Sequence, residues 1–249
     1  MSIKKVSCII PAYNEEKTVA EVVKTCLRSP DIHEIIVVND GSTDKTLEKL
    51  EAFGNKIKII DLPQNKGKGY AVAQGVKTAK YPILLFLDAD LANYENHHLF
   101  SLINPVITNQ ANMTIAAPSG VKFSNYPFWR LSGQRCLQKK EVEDLTSEME
   151  KTNYGLEVVL NEHFKNKRMI IVPLVFTKKY HYTKQEKEED WVASFIKELW
   201  EVLQKTIAVK SAGYRQKTRK EFLKNISSYL KISYKKAKDY LVEENSLNP

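Results

Sequence analysis

The chain has 249 residues, 43% of them hydrophobic, which suffices for one sizeable core and at most about two domains of ~100–200 residues each. Its apolar runs, such as 83–87 and 169–176, fall far short of the ~18 residues of a spanning helix, and the strand-like opening MSIKKVSCII lacks the apolar stretch of a secretory leader. The net charge of +8 is local: residues 205–240 hold 11 basic and 2 acidic side chains, whereas residues 1–204 hold 27 and 26. A solvated helical face, an anionic membrane surface, nucleic acid or another polyanion can each account for that segment. Cys8, Cys26 and Cys136 form an odd, unclustered set without metal-ligand spacing, as expected of a reducing compartment.

From residue 5 to 87 short β-rich runs alternate with segments of helical period, the pattern of a parallel α/β layer. Strands are predicted at 6–10, 34–38, 57–61 and 83–87, each apolar enough to be covered on both faces. Helices are predicted at 15–27, where Val19, Val22, Val23 and Cys26 share a face, at 44–53 and at 70–79. Farther on, the pattern predicts a helix over 95–108, a strand at 113–117, an aromatic and Pro/Gly-rich loop at 118–130, a helix from Gly133, another near 154–164 and a strand at 169–176. Residues 1–185 form the expected main domain. Residues 186–249 form an expected basic, helical C-terminal extension, with Val192, Phe195, Ile196, Leu199 and Leu203 in one apolar stripe.

A sheet of this kind binds ligands beyond the carboxyl ends of its strands. The first such turn is Pro11-Ala12-Tyr13-Asn14-Glu15. It lacks the glycines of a dinucleotide fingerprint; it can lay Tyr13 along a nucleoside, or serve as a turn that Asn14 caps. The second turn carries Asp40 before Gly41, either an acceptor for a base N–H or part of an Asp-Gly turn capped by Ser42 or Thr43. The third, Asn65-Lys66-Gly67-Lys68-Gly69, is either a phosphate cradle at a helix N-terminus or a plain basic loop. The fourth strand ends in Asp88-Ala89-Asp90. Two carboxylates so close repel unless a positive charge compensates them, and a hard ion, Mg²⁺ or Mn²⁺, does so while taking its remaining ligands from a diphosphate.

CIIPAYNEE, EIIVVNDGSTDKT, NKGKGYAVAQG and ILLFLDADL, four ordered blocks, together resemble the nucleotide-binding half of family 2 glycosyltransferases with the GT-A fold. The likeness extends to polyprenyl- and dolichyl-phosphate glycosyltransferases and glucosyl-3-phosphoglycerate synthases. The resemblance implies a mostly parallel central sheet and nucleoside contacts from Pro11, Ala12, Tyr13, Glu15 and Asp40. It also implies that Lys68 lies beside the diphosphate and that Asp88, Ala89 and Asp90 form the metal motif, with Asp90 catalytic. Asn39 departs from it, since many relatives carry aspartate there.

Gly133-Gln134-Arg135 resembles an acceptor-side segment of the family, where Gln134 would bind sugar hydroxyls and Arg135 would grip a phosphate or carboxylate; a helix start is the alternative. Glu157, in Tyr154-Gly155-Leu156-Glu157, is a general base or a solvent-facing helix residue. His181 is a third metal ligand by resemblance, or a surface histidine. His97 and His98 read as structural.

The expected activity is metal-dependent transfer of a sugar from a UDP- or GDP-linked donor to an acceptor bearing phosphate, such as a polyprenyl phosphate. Transfer to phosphoglycerate and a non-catalytic nucleotide-binding module are the alternatives. The expected setting is cytoplasmic, peripheral on an anionic membrane through the basic extension, which also suits a homodimer contact; no nucleic-acid partner is expected.

Overall fold

A computed structural model describes residues 4–91, 93–118, 132–152 and 155–174, all within the compact unit that ends at Tyr182. The expected aromatic loop, Tyr154, His181 and the extension at 186–249 lie outside, or almost wholly outside, the described residues.

Along the chain run β1 (Val6–Ala12), α1 (Val19–Arg28), β2 (Glu34–Asp40), α2 (Thr46–Glu51), β3 (Lys58–Leu62), α3 (Lys68–Thr78), β4 (Ile83–Phe86) and α4 (Asn96–Ile107). β5 (Met113–Pro118), β6 (Arg135–Gln138), α5 (Thr146–Met149), α6 (Leu156–Phe164) and β7 (Met169–Leu174) follow. The seven strands among the described residues form one sheet in the order β3-β2-β1-β4-β6-β5-β7. β1 pairs in parallel with both β2 and β4, so the strand order reverses at β1 and opens a crevice at the carboxyl ends of β1 and β4.

Alternation along β1 feeds two cores. Val6, Cys8, Ile10 and Ala12 join Val19, Val22, Val23 and Cys26 of α1 and Leu99, Leu102, Ile103 and Val106 of α4 on one face. Ile9 joins Ala71, Val72 and Val76 of α3 and Leu160 and Phe164 of α6 on the other. The i, i+3, i+4, i+7 spacing predicted for α1 is thus its buried stripe. The thiols of Cys8 and Cys26, 18 residues apart, lie 3.8 Å from each other; all three cysteines are free and buried, and burial, with the neighbouring thiol, pushes Cys8 well up.

Two expectations are corrected. β3 is covered only in part: Ile59 packs on one core and Ile60 and Leu62 on the other, but all five residues are exposed or half-buried, because it is the end strand of the sheet. The helix expected from Gly133 is instead β6, the strand antiparallel to its neighbours. Leu84 faces Leu137, Leu85 faces Cys136 and Phe86 faces Arg135, while Thr114 of β5 faces Cys136 from the other side. Pairing along both edges decides the conformation of four residues that carry no strong local preference.

Candidate functional site

The turns after β1 and β2 are laced to each other. Asn14, at φ 54°, accepts the Thr43 N–H at 2.9 Å, and its own N–H donates to Ser42 Oγ at 3.0 Å. Asp44 accepts the Glu16 N–H at 3.1 Å and the Thr46 N–H at 2.9 Å. Asn14 therefore ties two loops together rather than capping α1, whose N-cap is Thr18. Tyr13 stands 46% exposed above a buried Ala12, and the Glu15 carboxylate accepts the Thr18 hydroxyl at 2.8 Å.

Asp40 is buried and accepts the backbone N–H of Lys66 at 2.8 Å and of Gly67 at 2.9 Å, one on each oxygen. It anchors the loop that launches α3. Gly67 is the N-cap, at φ 91°, a conformation that L side chains resist, and Lys68 follows as the first helical residue.

At this helix start the charges converge. Lys68 Nζ lies 2.6 Å from Asp88 Oδ1 and 2.9 Å from Glu157 Oε1. Burial pulls the Lys68 ammonium down, but the charges and hydrogen bonds of Asp88 and Glu157 outweigh it and hold it above the usual lysine range. The second Asp88 oxygen accepts Gln134 Nε2 at 2.6 Å, and Gln134 Oε1 accepts the Ser132 hydroxyl at 2.8 Å. Gly133 closes over this pair: a Cβ there would stand 2.5 Å from both Asp88 oxygens and from Lys68 Nζ. Glycine is needed here for close approach, which the Gly-Gln-Arg order alone did not reveal.

Glu157 faces inward, only 6% exposed, in the first turn of α6, where the helix dipole favours its charge. The solvent-facing alternative does not apply. Arg135 is 1% exposed; its Nε donates to Ser132 O at 2.9 Å and its Nη1 to Asn161 Oδ1 at 2.8 Å. Burial lowers the guanidinium to about 10, against the pull of Glu157 and Asp88. The fork expected to grip an acceptor is thus turned into the interior. Gln134 is likewise buried, with its amide engaged by Asp88 and Ser132. Asn161 went unnoticed in the sequence; its one signal is the four-residue spacing from Glu157 on a single helix face.

Asp88 and Asp90 are half-buried on either side of buried Ala89. Among the described residues no three His, Cys, Asp or Glu side chains gather as a metal-ligating group, and His181 is not among them. His98 belongs to a capping box with Glu95 at the start of α4, the structural role expected of it. No helix among the described residues is long and apolar enough to cross a membrane.

A mostly parallel sheet with Lys68, Asp88 and Glu157 in contact at the carboxyl ends of its strands has the architecture of a GT-A-type fold. The family model for Glycosyl transferase family 2 matches residues 7–222, and the chain belongs to that family. The chain is 33% identical over 133 residues to a dolichol-phosphate mannosyltransferase of Pyrococcus furiosus, covering 51% of this chain and 37% of the relative. It is 36% identical over 100 residues to a dolichyl-phosphate beta-glucosyltransferase of Drosophila melanogaster, covering 34% and 31%. A poly-beta-1,6-N-acetyl-D-glucosamine synthase of Staphylococcus epidermidis matches at 37% over 92 residues, 35% of this chain and 22% of the relative. The matched stretches thus span well under half of these relatives. Among solved structures, glucosyl-3-phosphoglycerate synthase of Mycobacterium tuberculosis, in complex with Mn²⁺, UDP and glucosyl-3-phosphoglycerate, superposes with a TM-score of 0.58 at 19% identity, over 78% of this chain and 80% of that one.

Proposed function

We propose that this chain transfers a sugar from a UDP- or GDP-linked donor to a phosphate-bearing acceptor, a polyprenyl phosphate, with the help of a divalent ion. The observation that carries the reading is the cluster in which Lys68 joins Asp88 to Glu157 at the strand ends. A fixed cation beside carboxylates suits the chemistry of a leaving diphosphate and an attacking acceptor. The two relatives that act on dolichyl phosphate support the acceptor class.

In this reading Pro11, Ala12, Tyr13, Glu15 and Asp40 line the nucleoside side, with Tyr13 exposed enough to lie along a base. Lys68 and the N-terminus of α3 face the diphosphate. Hard carboxylate oxygens at Asp88 and Asp90 suit Mg²⁺ or Mn²⁺, which bind through one or two carboxylates plus substrate phosphates. Since both Asp88 oxygens already accept hydrogen bonds from Lys68 and Gln134, Asp90 is the principal ligand, with His181 as a further candidate. Such an ion, when bound, neutralises charge developing on the leaving diphosphate.

The bond from the sugar C1 to the acceptor oxygen forms as the bond from C1 to the diphosphate breaks, and the nucleoside diphosphate departs. A phosphate oxygen is already a nucleophile, so Glu157 need only orient the acceptor; a hydroxyl acceptor would need Glu157 as general base. The basic segment 205–240 supplies charge for anionic headgroups at the cytoplasmic face of a membrane, at about 1 kcal/mol per well-placed basic residue.

The test is a transfer assay with Mn²⁺ and UDP-glucose, UDP-N-acetylglucosamine or GDP-mannose, each against detergent-solubilised polyprenyl phosphate, 3-phosphoglycerate and water. Transfer to the polyprenyl phosphate from one donor is expected. Nucleotide binding without turnover of any donor would sink the enzymatic reading, and transfer to phosphoglycerate alone would replace the acceptor.

A further inference from the structure

The hydrogen bonds around Lys68 continue into the interior and return. Lys68 holds Asp88, Asp88 accepts from Gln134, and Gln134 accepts from the Ser132 hydroxyl. Arg135 Nε donates to the carbonyl of that same Ser132, and Arg135 Nη1 donates to Asn161 Oδ1 at 2.8 Å. Asn161 lies on α6, four residues after Glu157 and so on the same helix face. Glu157 returns to Lys68 at 2.9 Å. The ring therefore ties α3, the end of β4, β6 and α6 together, and it has a polar floor, Arg135 and Asn161, beneath the groups that face the crevice.

We propose that Arg135 and Asn161 are positioning residues: their hydrogen bond sets the rotation of α6 about its axis and thereby holds Glu157 against Lys68, without either residue touching donor or acceptor. Three observations carry this. Arg135 is 1% exposed, so no substrate reaches it in this arrangement. Its donors run to three different places, the turn before β6, Met113 Sδ of β5 at 3.7 Å and the helix α6, which lysine, with a single point charge, does not reproduce in the same plane. A buried guanidinium is costly unless its donors are met, and a shape-matched apolar residue would fill the space as well, so what the arginine adds is a fixed direction. A rotation of α6 that shifts Glu157 by about 1 Å is enough to cost about 100-fold in rate.

This inference rests on the transferase reading for its kinetic arm and is independent of it in a second arm. For the kinetic arm, Asn161→Leu, which keeps the branched outline and removes the acceptor oxygen, should lower kcat by about 10- to 100-fold while donor KM stays within about 3-fold. Asn161→Asp, which keeps an acceptor for the guanidinium, should stay within about 3-fold of the wild type in kcat; this rescue is what mere packing would not produce. For the second arm, the full-length protein is treated briefly with an amine-acylating reagent and labelling of Lys68 is read by mass spectrometry, with exposed Lys24 as internal standard. Asn161→Leu and Arg135→Met should raise Lys68 labelling at least about 3-fold, as Glu157 leaves it, and Asn161→Asp should not. Unchanged Lys68 labelling in Asn161→Leu, or an Asn161→Asp variant as impaired as Asn161→Leu, overturns the proposal. Should Arg135→Met fail to fold, the two Asn161 variants decide alone, and should no donor be turned over by the wild type, the labelling decides without kinetics.

Discussion

The half of the sheet from β3 to β4 and the half from β6 to β7 both keep polar side chains near the crevice, and they hold them differently. In the first half, carboxylates and amides hold backbone. Asp40 takes the N–H groups of Lys66 and Gly67, Asp44 those of Glu16 and Thr46, and Asn14 that of Thr43. Where the second half meets the first, charge meets charge across elements: Lys68 of α3 reaches Asp88 after β4 and Glu157 of α6, and Arg135 of β6 is buried. The contrast separates two tasks. Loops pinned through their amides make a rigid rim at the strand ends, whereas opposed charges shielded from water are electrostatically strong and sensitive to small displacements.

That division can be broken at several points, with effects that should descend in size. Lys68→Met leaves Asp88 and Glu157 facing each other without the ammonium between them, and should cut sugar transfer by about 10²- to 10³-fold; a loss under 10-fold would mean that the cluster is structural. Gly133→Ala puts a methyl 2.5 Å from the Asp88 oxygens and Lys68 Nζ, and should lower kcat by about 100-fold. Circular dichroism of that variant should remain native, since overpacking costs only about 1–3 kcal/mol.

Asp40→Ala strands the Lys66 amide and leaves the Gly67 N–H with Asn65 Oδ1 alone, and should cost about 1–3 kcal/mol in urea unfolding. Its donor KM should rise more than its kcat falls, as the proposed nucleoside contact requires; the reverse pattern would erase the distinction between the halves. The smallest effect concerns pH. Because the folded Lys68 is held above the usual lysine range, its stabilising contribution is fully present below the unfolded value of about 10.4 and is lost as pH rises beyond it. The stability difference between the wild type and Lys68→Met should therefore be flat from about pH 6 to 9 and begin to narrow only above about pH 10.4.

Much of the half from β3 to β4 was legible in the order of residues. The four parallel strands and the buried stripe of α1 follow from short-range periodicity, and the positions of Asp40, Lys68, Asp88 and Asp90 follow from strand ends. Less was legible beyond Asp90. Gly133 and Arg135 look like the start of a helix until the pairing of β6 with β4 and β5 is known. Asn161 carries no motif at all, and the inward turn of Arg135 contradicts what an arginine beside glycine and glutamine suggests. Even Cys8 and Cys26, unclustered along the chain, meet through the packing of α1 on β1.

The sequence by itself determined the alternation of strands and helices, the side chains at each strand's end and the family resemblance, because each depends on neighbours within a few residues of one another. Only the tertiary structure decided which charges meet. The link from Lys68 to Glu157 spans the return of the chain through β4, β5 and β6, and the 6% exposure of Glu157 depends on how α6 packs beneath the sheet. Electrostatic partnership and burial are properties of distance in space, and a linear pattern encodes them only through the fold that it produces.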